Sequence, residues 1–390
     1  MKRSLFTQIP FFIFIRIVLH TPVRMIYPFI SIFERGLGVS TQAISWALAL
    51  RSATGSLAPL LGSLADRFGR KVGMITGLMV FTCGVGLLSF LPTFPVFVAM
   101  LLFTFTGGAI FIPSLQAYLG DSVPYEKRGA VLGISEIGWS LSFILGVPAV
   151  GFIIAEKDWH APFPWLTGLG VFAILILAVI LPKDNNIEIK KVNLLQSMGL
   201  ILRTPVAIAG ITISLSIAAS NELVNLVFGL WLYDAFELKV TALALASMVI
   251  GFSELGGEVL VSLVVDRLGK ARSVGAGLIL NALAVLLLPA IGQSINGALV
   301  GLFFLYLTFE FTIVSCIPLI TELLPGARAT LIANFFTSIA IGRALGAFVA
   351  PFLYKLGISP DSTPSLVPIA ITAALLNLFA LFILRILKGR

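Results

Sequence analysis

The stretch Gly62-Ser-Leu-Ala-Asp66-Arg67-Phe-Gly69-Arg70-Lys71 is a short charged loop between two long apolar segments. Two hundred positions later, Ser262-Leu-Val-Val-Asp266-Arg267-Leu-Gly269-Lys270 repeats Asp, Arg and Gly at the same spacing. One such loop in each half of a 390-residue chain points to a duplicated, membrane-embedded unit.

The duplication reaches beyond the loop. Asp121-Ser-Val-Pro124-Tyr-Glu-Lys127-Arg128 aligns with Glu322-Leu-Leu-Pro325-Gly-Ala-Arg328 at an offset of 201, and Leu145-Gly146 with Leu345-Gly346 at 200. Composition fits the membrane reading: the chain is 58% hydrophobic and 11% charged, with mean hydropathy +1.06. Soluble domains carry about 25% charge, so a soluble domain is excluded. Apolar runs of about 20 residues cross a hydrocarbon core roughly 30 Å thick, and they must be helices because lipid offers no partner to unpaired backbone groups. Division at Pro, Gly and charge clusters predicts twelve spans, roughly 10–34, 41–61, 72–92, 95–119, 129–155, 162–181, 206–233, 241–264, 273–291, 296–322, 328–353 and 364–387. The expected fold is an all-α membrane protein with a six-helix bundle in 1–181 and another in 206–390. The segment 182–205 links them; its charged run Lys183 to Lys191 precedes a stretch, Asn193 to Arg203, suited to a short interfacial helix. The first apolar run follows Met1-Lys2-Arg3 but has no small-residue cleavage site, and Arg16, His20 and Arg24 interrupt it, so it is read as a mature helix.

With both termini cytoplasmic, 18 Lys and Arg fall on the inner side and only Arg35, Lys157, Lys239 and Lys355 outside. The positive-inside rule therefore fixes the expected topology. The net charge of +8 belongs to loops meeting anionic headgroups and does not imply nucleic-acid binding. Cys83 and Cys316 lie within apolar spans and are expected to remain thiols, and no Asn-x-Ser/Thr acceptor occurs. Both points suit a bacterial cytoplasmic membrane.

The loop GSLADRFGRK resembles the signature between helices 2 and 3 of the major facilitator superfamily, with the degenerate second copy in its usual place between helices 8 and 9. Twelve spans, a central linker and paired signatures extend the resemblance over the whole chain. It implies two pseudo-symmetric bundles and secondary transport by alternating access. It also implies that spans 1, 4, 7, 10 and 2, 5, 8, 11 surround a cavity, while 3, 6, 9 and 12 lie outside. Gly62 and Gly69 allow a tight turn, and Asp66 is a carboxylate able to accept from a neighbouring helix N-terminus. By resemblance that neighbour is the start of span 11 near Arg328, and the contact holds the cytoplasmic side shut. Arg67, Arg70 and Lys71 are expected to pair with Asp121 and Glu126; Arg128 and the second-copy residues Asp266, Arg267 and Gly269 complete the expected gate.

Ionisable groups at mid-bilayer cost about 2.5–3.5 kcal/mol each on insertion scales, so each one invites a functional reading. Span 1 carries Arg16, His20 and Arg24 on one stripe; Arg51 lies in span 2 and Arg343 in span 11. Carboxylates occur at Glu136 in span 5, Glu222 in span 7, Glu254 and Glu258 in span 8, and Glu310 in span 10. All of these spans belong to the implied cavity set, which predicts a polar, charged centre. Arg24 or Arg51 is expected to pair with Glu254 or Glu310 in one state and part in another. A desolvated carboxylate that loses its cation takes up a proton, and Glu254 and Glu258 at i, i+4 repel one another. His20 is read as a hydrogen-bonding cavity residue. Span 7 adds a stripe of Ser214, Ala218, Asn221, Glu222, Asn225 and Gly229, which suits either the cavity or close helix packing.

Gly146-Val-Pro148-Ala-Val-Gly151 in span 5 is similar to the glycine–proline signature of the superfamily's proton-driven exporters. It departs in that Gly and Pro are not adjacent and the doubled terminal Gly is missing; Gly342, Gly346 and Pro351 echo it in span 11. The leading expectation is a proton-coupled efflux antiporter for small amphipathic compounds, with Glu222, Glu254, Glu258 and Glu310 as proton sites. The alternative is an organic-anion or metabolite carrier using Arg24, Arg51 and Arg343. No GxxxxGK[ST] loop, metal-ligand spacing or Ser/His/Asp set occurs, so neither an enzyme nor a cofactor is expected. The expected partners are a small molecule, protons and lipid, and the chain is expected to act as a monomer.

Overall fold

A proline divides the first expected span. In the computed structural model, which describes residues 3–57, 69–182, 204–323, 328–357 and 365–388, α1 (Arg3–Arg24) ends in a turn over 25–29 and α2 (Ile30–Leu37) follows. Pro28 has no N–H to give a helix and disfavours helical backbone at Tyr27. The run expected as one helix over 10–34 therefore breaks directly after Arg24. The second expected span is helical over α3 (Thr41–Ala53), where the Ser40 hydroxyl accepts from the Ala43 amide at 3.3 Å, and tightens to a 3-10 turn over Thr54–Leu57. Of the expected signature, Gly62, Asp66 and Arg67 lie outside the described residues, as does the linker from 183 to 203.

Next come α4 (Arg70–Phe90), α5 (Phe94–Ser122) and α6 (Tyr125–Leu141). The expected span 129–155 is not uniformly α-helical, because a π turn over Ser142–Gly146 separates α6 from α7 (Val147–Glu156). Pro148 leaves the Ile144 carbonyl without its usual donor, and the Val147 amide reaches back five residues to the Ser142 carbonyl. The remaining helices are α8 (Pro162–Ile180), α9 (Pro205–Phe236), α10 (Val240–Leu268), α11 (Lys270–Ile291), α12 (Ile295–Leu323), α13 (Arg328–Leu356) and α14 (Val367–Lys388). Among the described residues ten helices are long and apolar enough to cross a membrane. The ten do not include α1 or α3, and α3 is 13 residues long. Large apolar side chains stand exposed along α8 (Trp165, Phe172, Leu175, Val179) and α11 (Leu280, Leu283, Leu287), as lipid-facing helices require.

The chain forms two compact units, Met1–Val39 with Leu57–Lys190, and Ser40–Ser56 with Lys191–Arg390. Within the second unit α3 lies on α13, and Trp46 stacks on Phe348 with ring centroids 6.0 Å apart. Lipid is as apolar as the side chains, so helix association leans on close packing at small residues rather than on escape from water. The duplication is visible in that packing. Gly77 of α4 faces Gly107 and Phe111 of α5, and Gly277 of α11 faces Thr312 and Phe311 of α12. Gly146 faces Thr21, and Gly346 of α13 faces Glu222 of α9. Gly69 and Gly269 both hold positive φ, 100° and 88°, and each caps the helix that follows it. The charged loop thus ends in the same glycine-only turn in both copies.

Candidate functional site

Three rungs join α1 to the segment formed by α6 and its π turn in the first unit. In the lowest, Arg16 grips Glu136 with both prongs of its guanidinium, Nη1 to Oε1 at 2.5 Å and Nη2 to Oε2 at 2.6 Å. Such fork-on-carboxylate geometry fixes orientation as well as distance. Gln116 of α5 donates its amide to the same Oε1 at 3.2 Å. One turn along α1, His20 meets Trp139 edge-on with ring centroids 4.8 Å apart. One turn further, Arg24 lies over Trp139 at 4.1 Å and Phe143 at 3.6 Å, and its Nη1 donates to the Trp139 carbonyl at 3.0 Å. Two small residues allow this approach: Gly138 lies against Arg16 and Ile13, Gly146 against Thr21. The basic stripe expected to face an open cavity is thus taken up by a stripe of α6 and the π turn. Arg16 and Arg24 are buried, while the Glu136 side chain stays partly open.

The second unit gathers carboxylates. Glu254 and Glu258 flank Gly257 on α10, and Gly257 is where Glu310 of α12 comes closest, so a methyl group there would lie 2.7 Å from the Glu310 Cβ. Glu254 and Glu310 are buried and Glu258 is half-buried. Glu310, grouped from the sequence with Glu254 and Glu258 in one charged centre, has its Cβ against Gly257 beside that pair. Glu222 sits elsewhere in the unit, 1% exposed, beneath Gly346 of α13. Asn225 donates to Glu222 at 3.3 Å, and Tyr306 of α12 donates to Asn225 at 2.9 Å. The stripe on α9 is packing surface for α13: Ser214 bonds Ser338 at 2.5 Å and Ala218 lies under Gly342. Arg51 and Arg343 are both half-buried, at the end of α3 and within α13.

At the loop ends, Arg70 pairs with Asp121 as expected, at 3.5 Å. Lys71 donates its ammonium to the Ala178 and Leu181 carbonyls, both at 2.7 Å. The orphan carbonyls closing α8 carry the negative end of the helix dipole and so attract a cation. Asp266 and Arg267 are exposed at the end of α10. Arg128 falls in α6, and its side chain lies outside the described residues.

Sequence reasoning missed the roles of Trp139, Phe143 and Gln116. Glu136, Trp139 and Phe143 are spaced i, i+3, i+7, one helical face, and Gly138 beside them signalled a close neighbour. It also missed the buried amide chain in which Asn281 donates to the Leu305 carbonyl at 2.9 Å while Asn377 donates to both Asn281 and Ser220.

A family model described as Major Facilitator Superfamily matches residues 12–257. The MFS-type transporter YceJ of Bacillus subtilis is 25% identical over 358 residues, 88% of each chain. The multi-drug resistance efflux pump PmrA of Streptococcus pneumoniae is 26% identical over 264 residues, 64% of this chain and 65% of that one. A bacterial homolog of the human lysosomal transporter Spinster, solved in an inward-facing occupied conformation, matches with TM-score 0.78 and 14% identity over 100% of this chain and 98% of that one. At that identity the likeness speaks for the fold.

Proposed function

The chain belongs to the major facilitator superfamily of integral membrane transporters for small molecules, and from that premise we propose that it exports small amphipathic compounds in exchange for protons. The observation that carries the reading is the crowding of Glu254, Glu258 and Glu310 about Gly257 in the second unit. Carboxylates within membrane helices are groups that take up and release protons in transporters, and three are gathered there on two crossing helices. A substrate or conformational step that alters the crossing of α10 and α12 then alters proton affinity, which is what coupling requires. Similarity to an efflux pump supports the outward direction.

In this reading two six-helix bundles alternate access, both termini are cytoplasmic, and the chain works as a monomer. Asp66, with Asp266 in the second copy, gates the cytoplasmic side. The organic-anion carrier draws less support, since the guanidinium of Arg24 is already stacked on two rings and bonded to a backbone carbonyl.

The test is reconstitution of the full chain in liposomes under an imposed pH gradient, with a fluorescent dye as cargo. Replacing Glu254, Glu258 and Glu310 together with Gln is expected to cut gradient-driven accumulation roughly tenfold or more while downhill exchange persists. Undiminished response to the gradient in that variant would overturn proton coupling.

A further inference from the structure

The lowest rung of the first unit stays partly open. The Arg16 side chain is 3% exposed and that of Glu136 is 42% exposed, although they share a bidentate pair. Glu136 lies in Gly133–Glu156 and Gln116 in Phe94–Ser122, both stretches apolar enough to cross a membrane. An ionised group is costly to turn toward lipid, so the open side of Glu136 suits water or a ligand.

We propose that this edge of Glu136, together with Gln116, is a substrate subsite that accepts hydrogen bonds from an N–H or O–H group of the transported compound. The inference rests on the efflux reading and names the chemistry that the first unit would recognise. The pair is neutral as a whole, because Arg16 compensates Glu136. Arg16 directs its terminal nitrogens at the carboxylate from the buried side. Gln116 directs its amide N–H at Oε1, and its own Oε1 takes no hydrogen bond among the described residues. The edge therefore presents carboxylate lone pairs and an amide oxygen as acceptors, beside the second N–H of the Gln116 amide. An anion finds one uncharged donor there against several acceptors, and a cation lacking N–H meets only the weak field of a compensated pair. A donor group gains a charge-assisted bond. Trp139, on the same face of α6 as Glu136 and half-buried, supplies a flat apolar wall for the rest of an amphipathic molecule.

Ethidium and tetraphenylphosphonium separate donor recognition from charge recognition. Both are permanent monocations with aromatic bodies, but ethidium carries amino N–H groups and tetraphenylphosphonium none. Binding of each is measured on the full chain in nanodiscs, and transport in liposomes is measured in parallel. Gln116→Ala is expected to weaken ethidium roughly three- to tenfold, the range of one hydrogen bond, and to leave tetraphenylphosphonium within about twofold. Replacing the pair together, Arg16→Met with Glu136→Met, avoids a lone buried charge and is expected to weaken ethidium roughly tenfold with the same indifference to tetraphenylphosphonium. Retained tetraphenylphosphonium binding certifies that the variants are folded. Equal losses for both probes, unchanged ethidium affinity in Gln116→Ala, or wild-type binding of neither probe would overturn the subsite. Selective ethidium binding without gradient-driven movement would instead end the efflux reading and leave the subsite standing.

Discussion

The seam of α1 with α6 and its π turn, and the seam of α9 with α13, occupy equivalent places in the two copies, yet they close by different chemistry. The backbone crossings correspond closely. Gly146 meets Thr21 in one and Gly346 meets Glu222 in the other, offset by 200 and 201 residues. Gly138 meets Ile13 where Ser338 meets Ser214, at the same offsets. The side chains opposite do not correspond. Asn225 stands where the first copy has Arg24, and Arg343 where it has Phe143. Close approach demands only that a Cβ be small or missing, and this constraint has outlasted divergence. Nothing in it dictates what charge lies alongside. The first unit has filled its seam with cations, rings and one carboxylate, the second with small residues and a buried acid.

The largest expected effect comes from breaking the charged seam on one side at a time. Glu136→Gln strands the enclosed Arg16 guanidinium and is expected to cost about 3–5 kcal/mol. Arg16→Met strands the carboxylate of a side chain that is already partly open, and a cost of about 1–2 kcal/mol is expected. Thermal unfolding of the two purified variants in one detergent measures the difference. Equal losses would mean that Glu136 is as enclosed as its partner, which would remove the contrast between the seams at its strongest point.

The glycine crossings offer a second test, with costs of about 1–3 kcal/mol for overpacking. A methyl group at Gly146 runs into the side chain of Thr21. At Gly346 it meets the Ala219 carbonyl at 2.8 Å as well as the Glu222 Cβ. Side chains can be trimmed and backbone cannot. Gly146→Ala should therefore regain most of its lost stability when combined with Thr21→Ala, whereas Gly346→Ala should gain little from Glu222→Ala. A double-mutant cycle reads this directly. Equal rescue in both seams would show that the second is as adaptable as the first.

The repeated loop, the apolar runs and the prolines made the helices legible, and Pro28 and Pro148 stood in plain sight where α1 breaks and the π turn forms. The basic stripe on α1 was legible too, because helical periodicity is a local property. What it faces was not. The partners of Arg16 and Arg24 lie more than 100 residues away, and only the crossing of two helices brings them together. The carbonyls that hold Lys71 were hidden for the same reason: they close α8, an end whose position no local pattern reveals. The meeting of Glu310 with Glu254 and Glu258 likewise follows from the absent side chain of Gly257.

The smallest effect tests whether the second seam relies on polar bonding at all. Ser214 and Ser338 bond each other at 2.5 Å, but each hydroxyl also lies against a carbonyl of its own helix: Ser214 against Gly210 and Ile211, Ser338 against Phe335. Ser338→Ala removes the bond between helices and leaves Ser214 satisfied within α9, so no buried group is orphaned. The expected cost is about 0.5–1 kcal/mol, the net worth of one hydrogen bond without a desolvation penalty. Unfolding measurements that give 2 kcal/mol or more, on the order of an orphaned buried group, would mean that the hydroxyl pair is the tie between α9 and α13. The seam would then be held by polar chemistry after all, as the first is, and small residues would only make room for it.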